Sequence, residues 1–141
     1  FHIMLRYEIE KDIIEGKLKV KDIKEVWNTK MKEYLGIIPK KDSEGVLQDI
    51  HWSGGSVGYF PTYSLGTFLG AQWTEAMKVG PLYIASKGPT FTEVKQWLEK
   101  NIHQYGSTYT LEELLKKNKM KFDPTVNLTY LQSKYSKLYG F

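Results

Sequence analysis

Residues 45–66, GVLQDIHWSGGSVGYFPTYSLG, bring several side chains capable of chemistry into one short segment. They can donate or accept hydrogen bonds or stack on a ligand, and they are Gln48, Asp49, His51, Trp52, Tyr59 and Tyr63. A buried polar side chain costs free energy unless it finds a partner, so such a group either braces a fold or lines a site. The glycine-rich stretch SGGSVG in its middle indicates a turn that separates the histidine from the tyrosines.

Other kinds of chemistry find little support in the sequence. His2, His51 and His103 lack the i, i+4 spacing of a zinc-binding helix, and no carboxylate lies near them in ligand register. The chain also has no P-loop and no GxGxxG fingerprint. Serines in a glycine turn are ordinary turn formers, which disfavours a nucleophilic serine beside His51. We therefore expect no metal site made by this chain alone.

The elements that must position these residues are helical. Apolar residues recur at helical spacing, strand patterns are weak, and glycine, proline and Thr-x-x-Glu signals mark the ends. The predicted helices are a first one ending near Gly16, a second ending at Gly36, one from Pro61 to about Val79, one over FTEVKQWLEKNIHQYG, one headed by Thr110, and a last one starting near DPTVNL. The sequence predicts an all-α, single domain over residues 1–141 with six or seven helices.

Composition excludes several classes of protein. The 141 residues, 41% of them hydrophobic and 14% aromatic, suffice for one domain with a core. The net charge of +4 comes with lysines alternating with glutamates, which is typical of solvated helix faces and disfavours nucleic acid as a partner. No apolar run reaches the roughly 18 residues of a membrane span. The absence of cysteine excludes disulfides and is consistent with a cytoplasmic protein. The Lys/Glu-rich composition favours a thermophilic source.

One motif carries a resemblance to a known family. The segment GVLQDIHW resembles the G-x-x-Q-D-x-H-W motif of the thermostable, Taq-type zinc carboxypeptidases. The stretches GYFPTYSLG, LRYEIEKDIIEGKL and VWNTKMKEYLGI are also similar to the C-terminal part of that family. The resemblance runs through most of residues 2–75, whereas beyond about residue 90 only the helical character matches.

The resemblance implies a larger, saddle-shaped, all-helical molecule with a deep groove, usually dimeric. It implies zinc, or another divalent metal, held by an HExxH helix and a downstream glutamate, and removal of C-terminal residues from peptides. No HExxH is present in these 141 residues. The first helix also starts without a capping residue and without an initiator methionine. We therefore expect a bundle-like C-terminal part of a longer metallocarboxypeptidase, inactive without the N-terminal part that holds the metal.

The resemblance also implies roles for the opening segment. In related helical zinc peptidases, a histidine followed by a glycine-rich loop and tyrosines stabilises the negative charge that develops on the scissile carbonyl oxygen. His51, Tyr59 and Tyr63 are the matching catalytic candidates, and the sequence does not decide which tyrosine contacts the substrate.

The neighbouring residues are candidates for supporting or substrate-binding roles. The Asp49 carboxylate would orient the adjacent histidine or cap a turn, and the Gln48 amide would tie the loop to a helix. Trp52 is expected to anchor the core rather than to contact substrate. Arg6 lies four residues before Glu10, which favours a salt bridge within the helix over a role in the groove.

A second class of function is an all-α interaction module that stands alone. In that case the QDIHW cluster would only brace helices. An uncapped first helix disfavours this alternative, because a module made to stand alone normally begins with a cap.

Overall fold

The computed structural model describes residues 1–77 and 89–141, which form helices joined by turns. The six α-helices of this part of the chain are α1 (His2–Ile14), α2 (Ile23–Leu35), α3 (Pro61–Met77), α4 (Phe91–Asn101), α5 (Leu111–Lys117) and α6 (Thr125–Tyr139). Short 3₁₀ turns lie at Val20–Asp22, Asp42–Glu44 and His103–Tyr105. The described residues contain no β-strand, which confirms the predicted all-α fold. None of their helices combines the length and apolar character needed to cross a bilayer.

The helix ends follow the signals in the sequence. Gly36 closes α2 in the left-handed region at φ 72° and donates its N–H to the Lys32 carbonyl. Thr110 heads α5 with a complete capping box, as predicted. An equivalent box, formed by Thr90 and Glu93, heads α4. The predicted end of α3 at Val79 lies outside the described residues.

The chain forms two compact units, Phe1–Leu65 and Gly66–Phe141, and their boundary falls within α3. The expectation of a single domain over residues 1–141 stays a prediction. All residues of the opening segment up to Leu65 belong to the first unit, so the first unit alone contains the predicted site.

The core of the first unit lies between α1 and α2. Leu5 and Ile9 of α1 are fully buried, and they pack with Trp27 and Met31 of α2, which are 1% and 3% exposed. Each pair is spaced four residues apart, which places both side chains on one face of their helix. Burying a side chain of this kind stabilises the fold by about 1.5–3 kcal/mol relative to leaving it exposed. This contact fixes α1, from which the site is built.

The second unit depends on a buried amide as well as on apolar contacts. Gln72 of α3 is 6% exposed, and its amide nitrogen donates to the Lys121 carbonyl at 2.8 Å. The backbone N–H of Asp123 donates to its amide oxygen at 3.0 Å. The rings of Phe68 and Phe122 lie alongside, with centroids 6.2 Å apart. These contacts hold the connection between α5 and α6 against α3.

Replacing Leu5 by alanine should destabilise the first unit strongly. The side chain is fully buried, and truncation of a buried leucine typically costs about 2–5 kcal/mol through lost burial and the cavity left behind. Ile14→Ala, at a position of the same helix that is 66% exposed, is the matched control and should change stability by less than about 0.5 kcal/mol. Urea unfolding followed by tryptophan fluorescence measures both. Equal losses in the two variants would contradict the assignment of the core.

Removing the cap of α5 should loosen that helix locally. Thr110 accepts a hydrogen bond from the N–H of the third helical residue, and replacing such a cap by alanine costs about 1 kcal/mol. We expect Thr110→Ala to speed amide hydrogen exchange in α5, whereas Thr108→Ala, an exposed position before the helix, should not. Unchanged exchange in Thr110→Ala would show that the cap contributes nothing in solution.

Candidate functional site

The segment that carries the candidate residues follows α2 and consists of successive turns. Residues 45–60 are neither helical nor extended over any regular stretch. The segment begins at a close approach, because a Cβ atom added to Gly45 would lie 3.1 Å from the Pro39 side chain and 3.3 Å from Trp27 Nε1. Glycine therefore lets the start of the motif pack against the core tryptophan.

Two buried charges on α1 hold this segment, and the first is Arg6. Its Nε donates to Asp49 Oδ2 at 2.7 Å, and its Nη1 donates to the His2 carbonyl at 2.7 Å. The guanidinium also lies 4.7 Å from the centre of the Trp27 ring, within cation–π range. The predicted salt bridge between Arg6 and Glu10 is wrong. Arg6 instead pairs with the carboxylate of Asp49, 43 positions away. The side chains of Arg6 and Glu10 both lie on the buried face of α1, where each contacts the segment that follows α2.

The second buried charge is Glu10, which is 6% exposed. Its Oε2 accepts a hydrogen bond from Trp52 Nε1 at 2.8 Å, and its Oε1 accepts one from the Gly58 N–H at 2.5 Å. Gly58 has φ 76°, a left-handed conformation that favours glycine. Glu10 is not among the site residues predicted from the sequence, because its four-residue spacing from Arg6 indicates only a pair on one helix face.

Aromatic rings surround the His51 imidazole. Tyr59 stacks on it with ring centroids 5.4 Å apart and an interplanar angle of 28°, and the buried Phe60 lies 4.6 Å away. The hydroxyl of Tyr63, on the first turn of α3, lies 3.5 Å from His51 Nε2. His51, Tyr59 and Tyr63 thus meet in one cluster, and both tyrosines are 46% exposed.

The other side of the imidazole faces Asp49. His51 Nδ1 lies 4.0 Å from Asp49 Oδ1 and, within the described part of the chain, is a buried atom without a hydrogen-bond partner. The carboxylate thus lies beside the ring but beyond hydrogen-bond range. One Asp49 oxygen contacts Arg6 while the other faces the histidine, which links the buried charge of α1 to the aromatic cluster.

The phenol of Tyr63 is held in its protonated form. A hydrogen bond with the Tyr59 side chain raises the pKa of Tyr63, and partial removal from water together with the negative charges of Tyr59 and Asp49 act in the same direction. A hydrogen bond that raises the pKa of a phenol stabilises its protonated form, so the contact with Tyr59 favours the neutral Tyr63 side chain.

The remaining candidates lie in different surroundings. Trp52 packs edge-on against Trp27 and Phe60, with ring centroids 6.3 and 5.7 Å away. Gln48 is exposed, and its side chain forms no hydrogen bond with another described residue, so the predicted tie from its amide to a helix is not made. Phe60 was missed, because an apolar residue between two tyrosines carries no sequence signal of its own.

The site does not fit a metal ion by itself. Over residues 1–77 and 89–141, no three His, Asp or Glu side chains lie close enough together to hold one. Asp49 and His51 are the two potential ligands of the cluster, and one Asp49 oxygen already pairs with Arg6. We therefore assign no metal-dependent step to these residues.

Comparison with known proteins assigns the chain to a class of helical metallopeptidases. Residues 1–135 match the family described as carboxypeptidase Taq (M32) metallopeptidase. The chain is 47% identical over 119 residues to thermostable carboxypeptidase 1 of Pyrococcus furiosus, and this alignment covers 83% of this chain and 24% of that protein. It is 40% identical over 142 residues to carboxypeptidase 1 of Bacillus subtilis, covering 98% of this chain and 28% of that protein.

Solved structures agree. The crystal structure of the M32 carboxypeptidase from Deinococcus radiodurans R1 matches with a TM-score of 0.89 at 31% identity, over 99% of this chain and 29% of that one. The chain therefore belongs to the M32, Taq-type carboxypeptidase family. It spans about a quarter of the length of the curated relatives it matches. The resemblance found in the sequence is confirmed.

Tyr59→Phe should lower the pKa of Tyr63, because it removes the hydrogen bond that contributes most to the upward shift. Since the folded pKa lies above the unfolded one, the contact stabilises the fold below the unfolded pKa, and this contribution is lost as pH rises through the folded pKa. The variant should therefore lose less stability than the parent chain at alkaline pH. Titration of ¹³C-labelled tyrosine by NMR measures the pKa.

Tyr7→Phe is the matched control for this titration. Tyr7 is 47% exposed and lies on α1. Its replacement should leave the Tyr63 titration in place. A Tyr63 pKa that is the same in Tyr59→Phe and in the parent would contradict the hydrogen bond between the two phenols.

Proposed function

We propose that this chain supplies one wall of the substrate groove of a metallocarboxypeptidase that releases C-terminal amino acids from peptides. Membership of the M32 family supports the class of reaction. The observation that carries the role of this chain is the convergence of His51, Tyr59 and Tyr63 on a partly exposed surface of a loop that is held by the buried side chains of Arg6 and Glu10. Family membership disfavours the alternative of a stand-alone interaction module.

Hydrolysis of a peptide bond develops negative charge on the scissile carbonyl oxygen. Donors fixed in advance where that charge appears lower the barrier, because they need no reorganisation during the reaction. The phenols of Tyr59 and Tyr63 and the imidazole of His51 are donors of this kind. A tyrosine phenol is protonated at neutral pH, and the upward shift in the pKa of Tyr63 acts in the same direction. In this role the chain binds and orients the carbonyl and stabilises its charge.

The two tyrosines have different roles in this proposal. We propose that the Tyr63 hydroxyl donates to the Tyr59 oxygen, which leaves the Tyr59 hydroxyl to donate elsewhere; the hydrogen bond with Tyr59 that raises the pKa of Tyr63 supports this direction. A phenol that accepts one hydrogen bond is also a stronger donor in the next, because the bonds polarise one another. Tyr59 is therefore the direct donor to the substrate oxygen, and Tyr63 supports it.

Asp49 and Arg6 support the cluster of His51, Tyr59 and Tyr63 from the side of α1. Arg6 fixes one oxygen of Asp49, and the other lies 4.0 Å from His51 Nδ1. Because 4.0 Å is beyond hydrogen-bond range, the carboxylate does not hold the ring proton on Nδ1, and Nε2, which faces Tyr63, can carry the proton that His51 donates. Gln48 is exposed, and we propose that its amide contacts the peptide.

The rest of the machinery lies outside these 141 residues in this proposal. The sequence has no HExxH, so the divalent metal, which we propose to be zinc, binds to the N-terminal part of the family chain and supplies Lewis-acid chemistry there. The chain alone would be inactive. We further propose a homodimeric, cytoplasmic enzyme from a thermophile; the relatives in Pyrococcus furiosus and Thermus thermophilus named as thermostable support the last point.

A paired assay tests this proposal. Zinc content by elemental analysis and hydrolysis of a blocked dipeptide are measured on this chain and on a chain extended upstream in the same reading frame. We expect only the extended chain to hold one zinc and to cleave. In it, Tyr59→Phe should lower kcat by about 10²–10³-fold, the usual cost of losing one oxyanion donor, with zinc retained. Tyr63→Phe should have a smaller effect.

Tyr7→Phe provides the control, since Tyr7 matches the two site tyrosines in exposure. Its kcat should equal that of the parent. Zinc binding and cleavage by the 141-residue chain alone would refute the proposal that the metal site lies in the upstream part of the protein. Full kcat in both site variants would refute the role of the tyrosines.

A further inference from the structure

Glu10 is a buried carboxylate to which the proposed reaction gives no role. It lies on α1 and is 6% exposed. An ionised carboxylate removed from water costs several kcal/mol unless hydrogen bonds replace its hydration. The position would therefore be filled better by an apolar residue if it served packing alone. The hydrogen bonds that Glu10 makes are the reason to look for a further role.

Those hydrogen bonds join the two ends of the glycine-rich turn. Trp52, which donates to Oε2 at 2.8 Å, directly follows His51 in the chain. Gly58, which donates its backbone N–H to Oε1 at 2.5 Å, directly precedes Tyr59. One carboxylate thus fixes the neighbour of the imidazole and the neighbour of the phenol that stacks on it. Backbone hydrogen bonds within the turn, such as the one from the Ser56 N–H to the His51 carbonyl at 2.8 Å, join residues 50–57 and do not include Gly58 or Tyr59.

A neighbouring carboxylate shows what a purely structural contact on α1 looks like. Glu8 accepts hydrogen bonds from Lys30 Nζ at 2.5 Å and from the Tyr34 hydroxyl at 2.7 Å, both on α2. It therefore fastens helix to helix. Both oxygens of Glu10 instead accept hydrogen bonds from the turn, and Glu10 therefore constrains the separation of His51 and Tyr59.

We propose that Glu10 is a positioning residue that fixes the stacking of Tyr59 on His51. With the carboxylate in place, the ring centroids lie 5.4 Å apart and the Tyr59 phenol is oriented relative to the imidazole. With it removed, residues 52–58 are released at both ends and the two rings separate. The catalytic meaning of this arrangement rests on the proposed function, whereas the geometric claim concerns this chain alone.

The test compares Glu10→Gln with Glu8→Gln in the 141-residue chain. Glutamine keeps the size of the side chain, but its NH₂ group cannot accept, so at position 10 it leaves either the indole or the Gly58 N–H facing a donor. Two-dimensional NMR reports cross-relaxation between the His51 and Tyr59 rings and their ring-current shifts, while thermal unfolding reports stability. Both variants should lower Tm. Only Glu10→Gln should lose the cross-relaxation between the two rings, by at least about half.

Trp52→Phe keeps the proposal testable if Glu10→Gln does not fold. It removes the indole N–H, keeps an aromatic ring in the core and leaves the bond to Gly58, so we expect a partial loss of the same signal. Unchanged ring contacts in every folded variant at positions 10 and 52, or an equal change in Glu8→Gln, would overturn the proposal.

Activity separates this inference from the proposed function. In the upstream-extended chain, Glu10→Gln should lower kcat more than it raises KM, because it misplaces donors that act on the transition state. An extended parent chain without peptidase activity would refute the proposed function, yet the NMR comparison would still decide whether Glu10 positions the two rings.

Discussion

The site depends on the burial of two opposite charges, Arg6 and Glu10, one turn apart on α1. Each costs free energy to remove from water, and each recovers it through hydrogen bonds to residues more than 40 positions away. Because neither charge has an oppositely charged partner on its own helix, and Glu10 has no hydrogen bond there among the described residues, the segment after α2 must lie where it can satisfy them. This requirement gives a definite conformation to a stretch that contains no regular secondary structure.

The constraint divides the site into an inner and an outer layer. The inner contacts are charge-assisted hydrogen bonds of 2.5–2.8 Å that hold Asp49, Trp52 and Gly58. The outer contacts are ring stacking and a hydroxyl 3.5 Å from His51 Nε2, at the limit of hydrogen bonding. The site thus combines an inner layer of short, charge-assisted hydrogen bonds with an outer layer of weaker contacts.

The sequence predicts the helices well and the site only in part. Periodicity, Gly36 and the capping box at Thr110 locate helices because these signals are local, and the same Thr-x-x-Glu pattern is present at Thr90. The predicted partner of Arg6 was wrong, because a four-residue spacing favours a pair with Glu10 only when both side chains lie on the exposed surface of the helix. Apolar residues lie on every side of α1, so its pattern does not reveal which face is buried.

The motif itself takes on a physical meaning through these contacts. Gly45 permits close approach to Trp27, and Asp49 pairs with Arg6. His51 contacts the two tyrosine rings, and Trp52 donates a hydrogen bond to Glu10. These residues follow one another at spacings of four, two and one, and each contacts a different partner, a pattern that neither a helix nor a strand repeats. This explains why the segment can be recognised by its residues although its conformation cannot be derived from their periodicity. It also explains why α1, which contributes no residue to the motif, is needed to shape it.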